Sequence, residues 1–379
     1  MYGTLLTEEQ LKLKDRVRSF VEKEVIPVAQ EYDEKGLFPW PIVNRAFEEG
    51  LMTGIVPKEY GGLGLDAVSL AIIAEELGRG CVGISTTIGG NNLCSYPVLI
   101  AGNPEQKRKY FDVLLQGKLP AFALTEPGAG SDAGAVATTA EKDGDYYVLN
   151  GSKCFCTNGE VASIFVVIAS TDKSKGVKGL SAFIVERERE GLIIGKKENK
   201  MGIRSSVTND LTLKNVRIPK KNLLGEEGQG FKIAMQTLDS GRAMVGAAAV
   251  GLAQAAFEEA LDFAKKQTKG GKPLAKSQFV QFKLADMAIA VESARNAVLK
   301  TCVLKEQGKP FGFESAIAKT LSTDVAMKVS SEAVELMGSY GYSKNSRVEK
   351  LMRDAKVMQI YEGTNQIQRI VISNYLLRK

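Results

Sequence analysis

Helical spacing of apolar residues breaks off near residue 119 and returns only after Gly230. This double change of character constrains the fold more than any other feature of the chain. Residues 1–118 read as helical. Thr7, Glu8, Glu9 and Gln10 fit a capping box, in which two side chains satisfy free N–H groups at a helix start. Leu13, Val17, Phe20 and Val21 follow at helical spacing, and Pro27 and Gly61-Gly62 mark breaks. Residues 119–225 carry short β-rich runs, among them Ile164 to Ala169 and Ala182 to Val185. Asp143-Gly144 is a hairpin signal ahead of Tyr146 to Leu149, and Leu211 and Leu213 alternate with polar neighbours. Strands without intervening helices predict an antiparallel sheet or small barrel. Residues 226–379 return to long helices, with Leu284, Met287, Ala288 and Val291 on one face. Gly246 to Ala256 is rich in Ala and Gly, a face that lets helices approach closely. The expected class is α+β: a helical domain, a central antiparallel β domain and a second helical domain.

Composition excludes several chemistries. The chain has 379 residues and no histidine. That removes Ser-His-Asp and Cys-His triads, histidine zinc sites and imidazole acid-base catalysis. Proton transfer must then use carboxylates, Lys, Tyr, Cys or a cofactor. Five cysteines, an odd number in a large chain, predict reduced and mostly buried thiols in a cytoplasmic protein. Cys154 and Cys156 form a C-x-C that would share one strand face, but no second pair stands at zinc-ligand spacing, so no metal is expected. The net charge is +6, and the basic pairs are scattered without interleaved aromatics. This favours solvated faces over a nucleic-acid surface and suits a polyanionic small ligand. No run of 18 apolar residues predicts a membrane span, and Met1 to Gln10 lacks a secretory pattern.

Three short segments carry candidate chemistry. Thr125-Glu126-Pro127-Gly128-Ala129-Gly130-Ser131-Asp132 is a Gly-rich loop after the run Ala121 to Leu124. Its backbone suits close approach to a ligand, although a surface turn explains it equally well. It is neither a Walker nor a Rossmann fingerprint. Ile360-Tyr361-Glu362-Gly363-Thr364-Asn365-Gln366 sets a carboxylate beside apolar residues, where desolvation raises its pKa toward that of a useful base. A surface loop carboxylate is the plainer alternative. Asp239-Ser240-Gly241-Arg242 offers both charges to a polar ligand, or an intrahelical ion pair.

Taken together, these segments resemble the acyl-CoA dehydrogenase family. T-E-P-G-A-G-S-D, Gly151-Ser152-Lys153 with Thr157-Asn158-Gly159, L-D-S-G-R, L-M-R-D-A-K and I-Y-E-G-T-N-Q occur in that family's order. Tyr60 to Leu65 and Gly271-Lys272-Pro273-Leu274 extend the likeness over essentially the whole chain, with short- and medium-chain members most similar. The resemblance implies a C-terminal four-helix bundle and FAD held between the β domain and the C-terminal helices. It implies that Phe122, Leu124, Thr125, Gly130 and Ser131 line the flavin, with Phe155 and Thr157 over its far face. Lys269, Gln278, Thr364 and Gln366 would also meet FAD, and Ser131, Asp239, Arg242 and Gly363 the acyl-CoA. Glu362 matches the catalytic base, which removes the α-proton while hydride leaves the β-carbon for the flavin. Its backbone N–H would help hold the thioester oxygen. Some branches carry the base on the L-D-S-G-R helix; here that position resembles Gly241. The implied partners are electron-transferring flavoprotein, docking near Leu63 and Leu65, and three further copies in a homotetramer. The acyl pocket resembles Thr86 to Pro97, which is uncharged, with room at Gly89 and Gly90 and filling at Tyr96. A short or medium saturated chain is expected.

The chain departs from the family at the far end of the cofactor. The usual R-x-x-F-G is replaced by Gln267-Thr268-Lys269-Gly270-Gly271, and Q-x-x-G-G-x-G by Glu335 to Gly341, with Ser339 for a Gly. Losing a charged hydrogen bond costs about 1.5–3 kcal/mol. Two expectations follow: a dehydrogenase with weaker FAD binding, or an atypical member that is flavin-poor, acting as an acyl-CoA lyase or a non-catalytic CoA-binding partner.

Overall fold

The computed structural model describes residues 6–377, apart from the side chain of Lys269. Thr7 caps the first helix, α1 (Glu8–Phe20), through the reciprocal box with Gln10 that the sequence predicts. Pro27 does not end the helical run. A π turn at Val21–Val25 precedes it, and Pro27 is taken up in the first turn of α2 (Ile26–Lys35), where its missing N–H costs nothing. α3 (Trp40–Glu48), α4 (Ala67–Gly80), α5 (Val82–Ala101) and α6 (Pro104–Leu114) complete the first helical layer. α5 is a regular helix despite Gly89, Gly90 and Pro97, residues that read as breakers in sequence. Burial of one residue after another along it outweighs their poor propensity.

The strands are β1 (Leu119–Ala123), β2 (Thr139–Asp143), β3 (Tyr146–Thr157), β4 (Ala162–Ser170), β5 (Leu180–Glu186), β6 (Leu192–Lys197), β7 (Thr208–Pro219) and β8 (Leu223–Leu224). They form one sheet in the order β6-β7-β3-β2-β4-β5-β8, with β1 on β4. Most pairs are antiparallel, as expected, but β1 runs parallel to β4, and β2 joins β4 in parallel through a single pair. Gly144, at a φ of 56°, starts the two-residue turn between Asp143 and Tyr146. Asn158 and the bulge at Lys153–Cys156 break the alternation of β3. Phe155 sits there at a φ of 54°. Cys156 is therefore buried while Cys154 stays half-exposed, and the two do not share a face as a regular strand would require.

The remaining elements are α7 (Gly230–Lys266), the short hairpin β9 (Thr268–Lys269) and β10 (Lys272–Pro273), α8 (Gln278–Glu306), α9 (Gly312–Met337), α10 (Ser339–Tyr342), α11 (Arg347–Met358) and α12 (Asn365–Leu377). α7 is the centre of the molecule. It packs against α8 and α9 on one side and α4 and α5 on the other. It is long and apolar enough to span a bilayer, but its small residues are buried in the core. The close approach is explicit. A Cβ at Gly251 would lie 1.9 Å from the Glu75 carbonyl oxygen of α4, and one at Gly78 would lie 2.3 Å from the Ala248 carbonyl oxygen. Each helix thus supplies a glycine to the other.

Gly251→Ala is expected to cost about 3 kcal/mol, at the upper end for overpacking, because backbone must move. Gly89→Ala meets nothing within 4 Å in a helix interior and should be neutral or stabilising by up to about 1 kcal/mol. Chemical denaturation of the two variants checks the contrast.

Candidate active site

The loop between α11 and α12 carries Glu362 in a left-handed conformation, φ 56°, followed by Gly363 at 86°. A side chain held there is strained, so the surroundings must fix it. They do so through side chains. Lys319 of α9 donates to the Gly363 carbonyl at 2.8 Å and to Asn365 Oδ1 at 2.9 Å. Gln368 donates to the Glu362 and Gly363 carbonyls at 3.2 and 3.1 Å. Asn365 in turn donates to Thr323 and Asp324, and its N–H reaches the Gln359 carbonyl.

The Glu362 carboxylate lies against α7. A Cβ on Gly241 would stand 3.1 Å from Glu362 Oε2 and 2.9 Å from Leu93 Cδ1 of α5. Oε2 is buried and has no hydrogen-bond partner among the described residues. Burial pushes the carboxyl up to about 7, against the opposing pull of Arg242 and Lys319. The Glu362 N–H also has no acceptor among the described residues. One buried, unpartnered carboxylate oxygen near neutral pKa is the property a base for a carbon acid needs.

Asp239 and Arg242 form the ion pair that was the alternative to a ligand contact. Burial raises the Asp239 carboxyl despite Arg242. Arg242 is 3 % exposed, and its Nε is buried without a partner, so the pair leaves one donor unused beside Glu362. Ser315 fixes this turn by donating to the Asp239 carbonyl at 2.6 Å.

A second group of predicted residues clusters on the β domain. The Cys154 N–H donates to the Thr125 carbonyl, and the Cys156 thiol points at the Phe122 carbonyl, so Phe122 to Thr125 lie along the bulge of β3. Beneath this loop is a buried ion pair. Lys153 Nζ is 2.6 Å from Glu126 Oε1 and also reaches the Leu124 carbonyl. Glu126 further accepts from the Ala137 and Thr138 N–H groups and the Thr138 hydroxyl. Burial raises the Glu126 carboxyl, but Lys153, Thr138 and Ala137 outweigh it and leave the group below its usual value. Above the pair, Gly130 and Ser131 are exposed, and Thr125 and Thr157 half-buried. Phe155 is 64 % exposed, its ring put outside the sheet by the bulge. An open glycine loop, two hydroxyls and an exposed aromatic suit a flat ring such as a flavin.

The far-end residues lie apart from these. Gln278 is exposed at the start of α8, and Gln366 is exposed on α12, while Thr364 caps α12 by accepting from the Ile367 N–H. The side chain of Lys269 falls outside those described. Gly270 and Gly271 have nothing within 4 Å of a Cβ. Glu335, an added anion in sequence, lies 3.1 Å from Lys283, which it shares with Glu332. Sequence reasoning missed Lys319, Gln368 and Lys283. Lys319 is a charged residue among small ones, Ala316, Ala318, Ser322 and Thr323, and that mismatch was its one signal.

Lys153→Met removes the cation and leaves Glu126 buried. The expected loss is roughly 3 kcal/mol or more in denaturant unfolding, the cost of breaking a buried pair from one side.

Comparison with known proteins shows the family. Sequence models of the acyl-CoA dehydrogenase N-terminal, middle and C-terminal domains match residues 7–118, 121–216 and 228–377. The chain is 46% identical over 375 residues to the mitochondrial short-chain specific acyl-CoA dehydrogenase of Rattus norvegicus, covering 98% of this chain and 91% of that one. A chain in the structure of the electron transferring flavoprotein of Acidaminococcus fermentans superposes with a TM-score of 0.97 at 45% identity, covering 99% and 100%. The FAD complex of an acyl-CoA dehydrogenase from Bacillus anthracis superposes with a TM-score of 0.93 at 36% identity, covering 99% and 68%. The chain belongs to the acyl-CoA dehydrogenase family and is an oxidoreductase of that kind.

Proposed function

We propose that this enzyme α,β-dehydrogenates a short-chain acyl-CoA, with Glu362 as base and FAD as hydride acceptor. The observation that carries the proposal is the buried, unpartnered Oε2 of Glu362 beside the bare backbone of Gly241. Glu362 takes the α-proton at Oε2. Its free N–H is available to the thioester oxygen, where negative charge develops as the proton leaves. Arg242 and Lys319 supply positive potential on the same side. FAD, when bound, accepts the hydride from the β-carbon. Phe122, Leu124, Thr125, Gly130, Ser131, Phe155 and Thr157 are the residues that would hold its ring. Asp239, Arg242, Ser131 and Gly363 would meet the acyl-CoA.

The chain-length reading rests on α5. Gly89 stands four residues before Leu93, so both lie on the face that looks toward Gly241 and Glu362. Gly89 leaves open space there, and α5 itself carries no charged side chain to meet a second carboxylate. Tyr96 is buried with Lys305 4.1 Å over its ring, which closes the far end. Short-chain relatives support the same substrate class. Activity confined to glutaryl-CoA would contradict it.

Two associations complete the proposal. Electron-transferring flavoprotein would take the electrons, a partner that the likeness to a chain in the Acidaminococcus fermentans structure supports, and exposed Leu63 is where it would dock. A homotetramer would cover the exposed Phe279, Phe282 and Ile289 of α8. The flavin-poor alternative rests on Gln267 and Gly270, and the flavin content of the purified protein decides it.

The purified protein should show the near-ultraviolet and blue bands of oxidised flavin, as isolated or after FAD is added; their absence would overturn the proposal. Glu362→Gln should keep the wild-type flavin content and lose acyl-CoA-dependent bleaching. In the wild type, the base works only when ionised, so kcat/KM should rise with pH through about 7, the value to which burial lifts Glu362.

A further inference from the structure

Lys319 is fully buried in the middle of α9, on a face otherwise made of small residues. A buried ammonium is costly unless its protons are used. Two of them are, on the Gly363 carbonyl and on Asn365 Oδ1, one and three residues after Glu362. Asn365 is itself pinned by Thr323 and Asp324. The lysine therefore ties the strained turn to α9, which packs along α7. Its third proton has no acceptor among the described residues.

We propose that Lys319 is the positioning residue for the catalytic base, holding the Glu362 turn in register and supplying the charge against which its carboxylate ionises. This rests on the assignment of Glu362 as base. The charged and titratable groups facing Glu362 are Arg242 from α7, Lys319 from α9, and Cys94 from α5, with Tyr361 on the loop itself. Those facing Lys319 are Glu362, Arg242 and Asp324. Burial draws the Lys319 ammonium down to about 8, with Glu362 and Asp324 pulling the other way. Loss of Lys319 leaves Arg242 as the one cation acting on the carboxylate among these groups.

The test compares Lys319→Met and Lys319→Gln as FAD-loaded enzymes, with Glu362→Gln as a control. Lys319→Met should keep the wild-type flavin content and KM, while kcat falls roughly 10²-fold, the scale of a misplaced reacting group. Its acid limb of kcat/KM should move up by roughly half a unit or more, because a stabilising cation is gone. Lys319→Gln can still donate to a carbonyl but carries no charge. It should recover part of kcat while keeping the shifted limb. A folded Lys319→Met enzyme with the wild-type limb and kcat would overturn the proposal. So would failure of both variants to fold, since that makes Lys319 a residue of the core and not of the base. If Glu362→Gln still bleaches at the wild-type rate, the base assignment fails instead, whatever Lys319 does.

Discussion

The close contact of α4 with α7 is the constraint on which the rest of the structure depends. Gly78, Ala248 and Gly251 let the two backbones meet, with no side chain between them. This contact joins the N-terminal helices to the C-terminal ones in a single buried core. It also sets where α5 sits, since α5 packs on α7 as well. Leu93 is thereby brought against Gly241, and the Glu362 carboxylate fills what remains. The position of the base follows from how near two distant helices are allowed to come.

The loop that carries the base shows the opposite economy. Around α7 the chain uses small apolar residues, but Glu362 and Gly363 are held by charge and hydrogen bonds. The positive φ of Glu362 is unfavourable, whereas Gly363 adopts its own at little cost. Lys319, Gln368 and Asn365 reach in from two helices to take the loop carbonyls or to brace one another. The same polar shell leaves Oε2 out. A fully satisfied carboxylate would be a stable anion and a poor base. The ion pair below the Thr125 loop is built the other way, with every nearby donor turned on Glu126. One carboxylate is held ionised to shape a loop, and the other, the proposed base, is lifted by burial toward neutrality.

Much of this was legible in the chain. The α-β-α order follows from period alone, the Thr7 box from four residues, and the Glu362 loop from motif order. The glycine-rich face of α7 was readable as a close approach, though not its partner. What the sequence hid has physical causes. Pro27 looks like a break because propensity is local, yet it is taken up in the first turn of α2. The bulge at Phe155 has no glycine to announce it, and it inverted the expected facing of Cys154 and Cys156. Lys319 acts on a residue 43 positions away, beyond the reach of any periodicity. Lys283 stands between Glu332 and Glu335 across two helices, so the added anion of Glu335 has a cation partner that no local pattern announces.

Gly241 also restricts how such an enzyme can change over generations. A carboxylate added there would enter the space that Glu362 Oε2 now occupies, 3.1 Å from the first atom of the new side chain. Two anions so close cannot both ionise near neutral pH. Shrinking Glu362 first would leave no base at all. Relocating the base from the loop to the helix therefore requires both positions to change together. Each one-step intermediate carries either a crowded pair of acids or none.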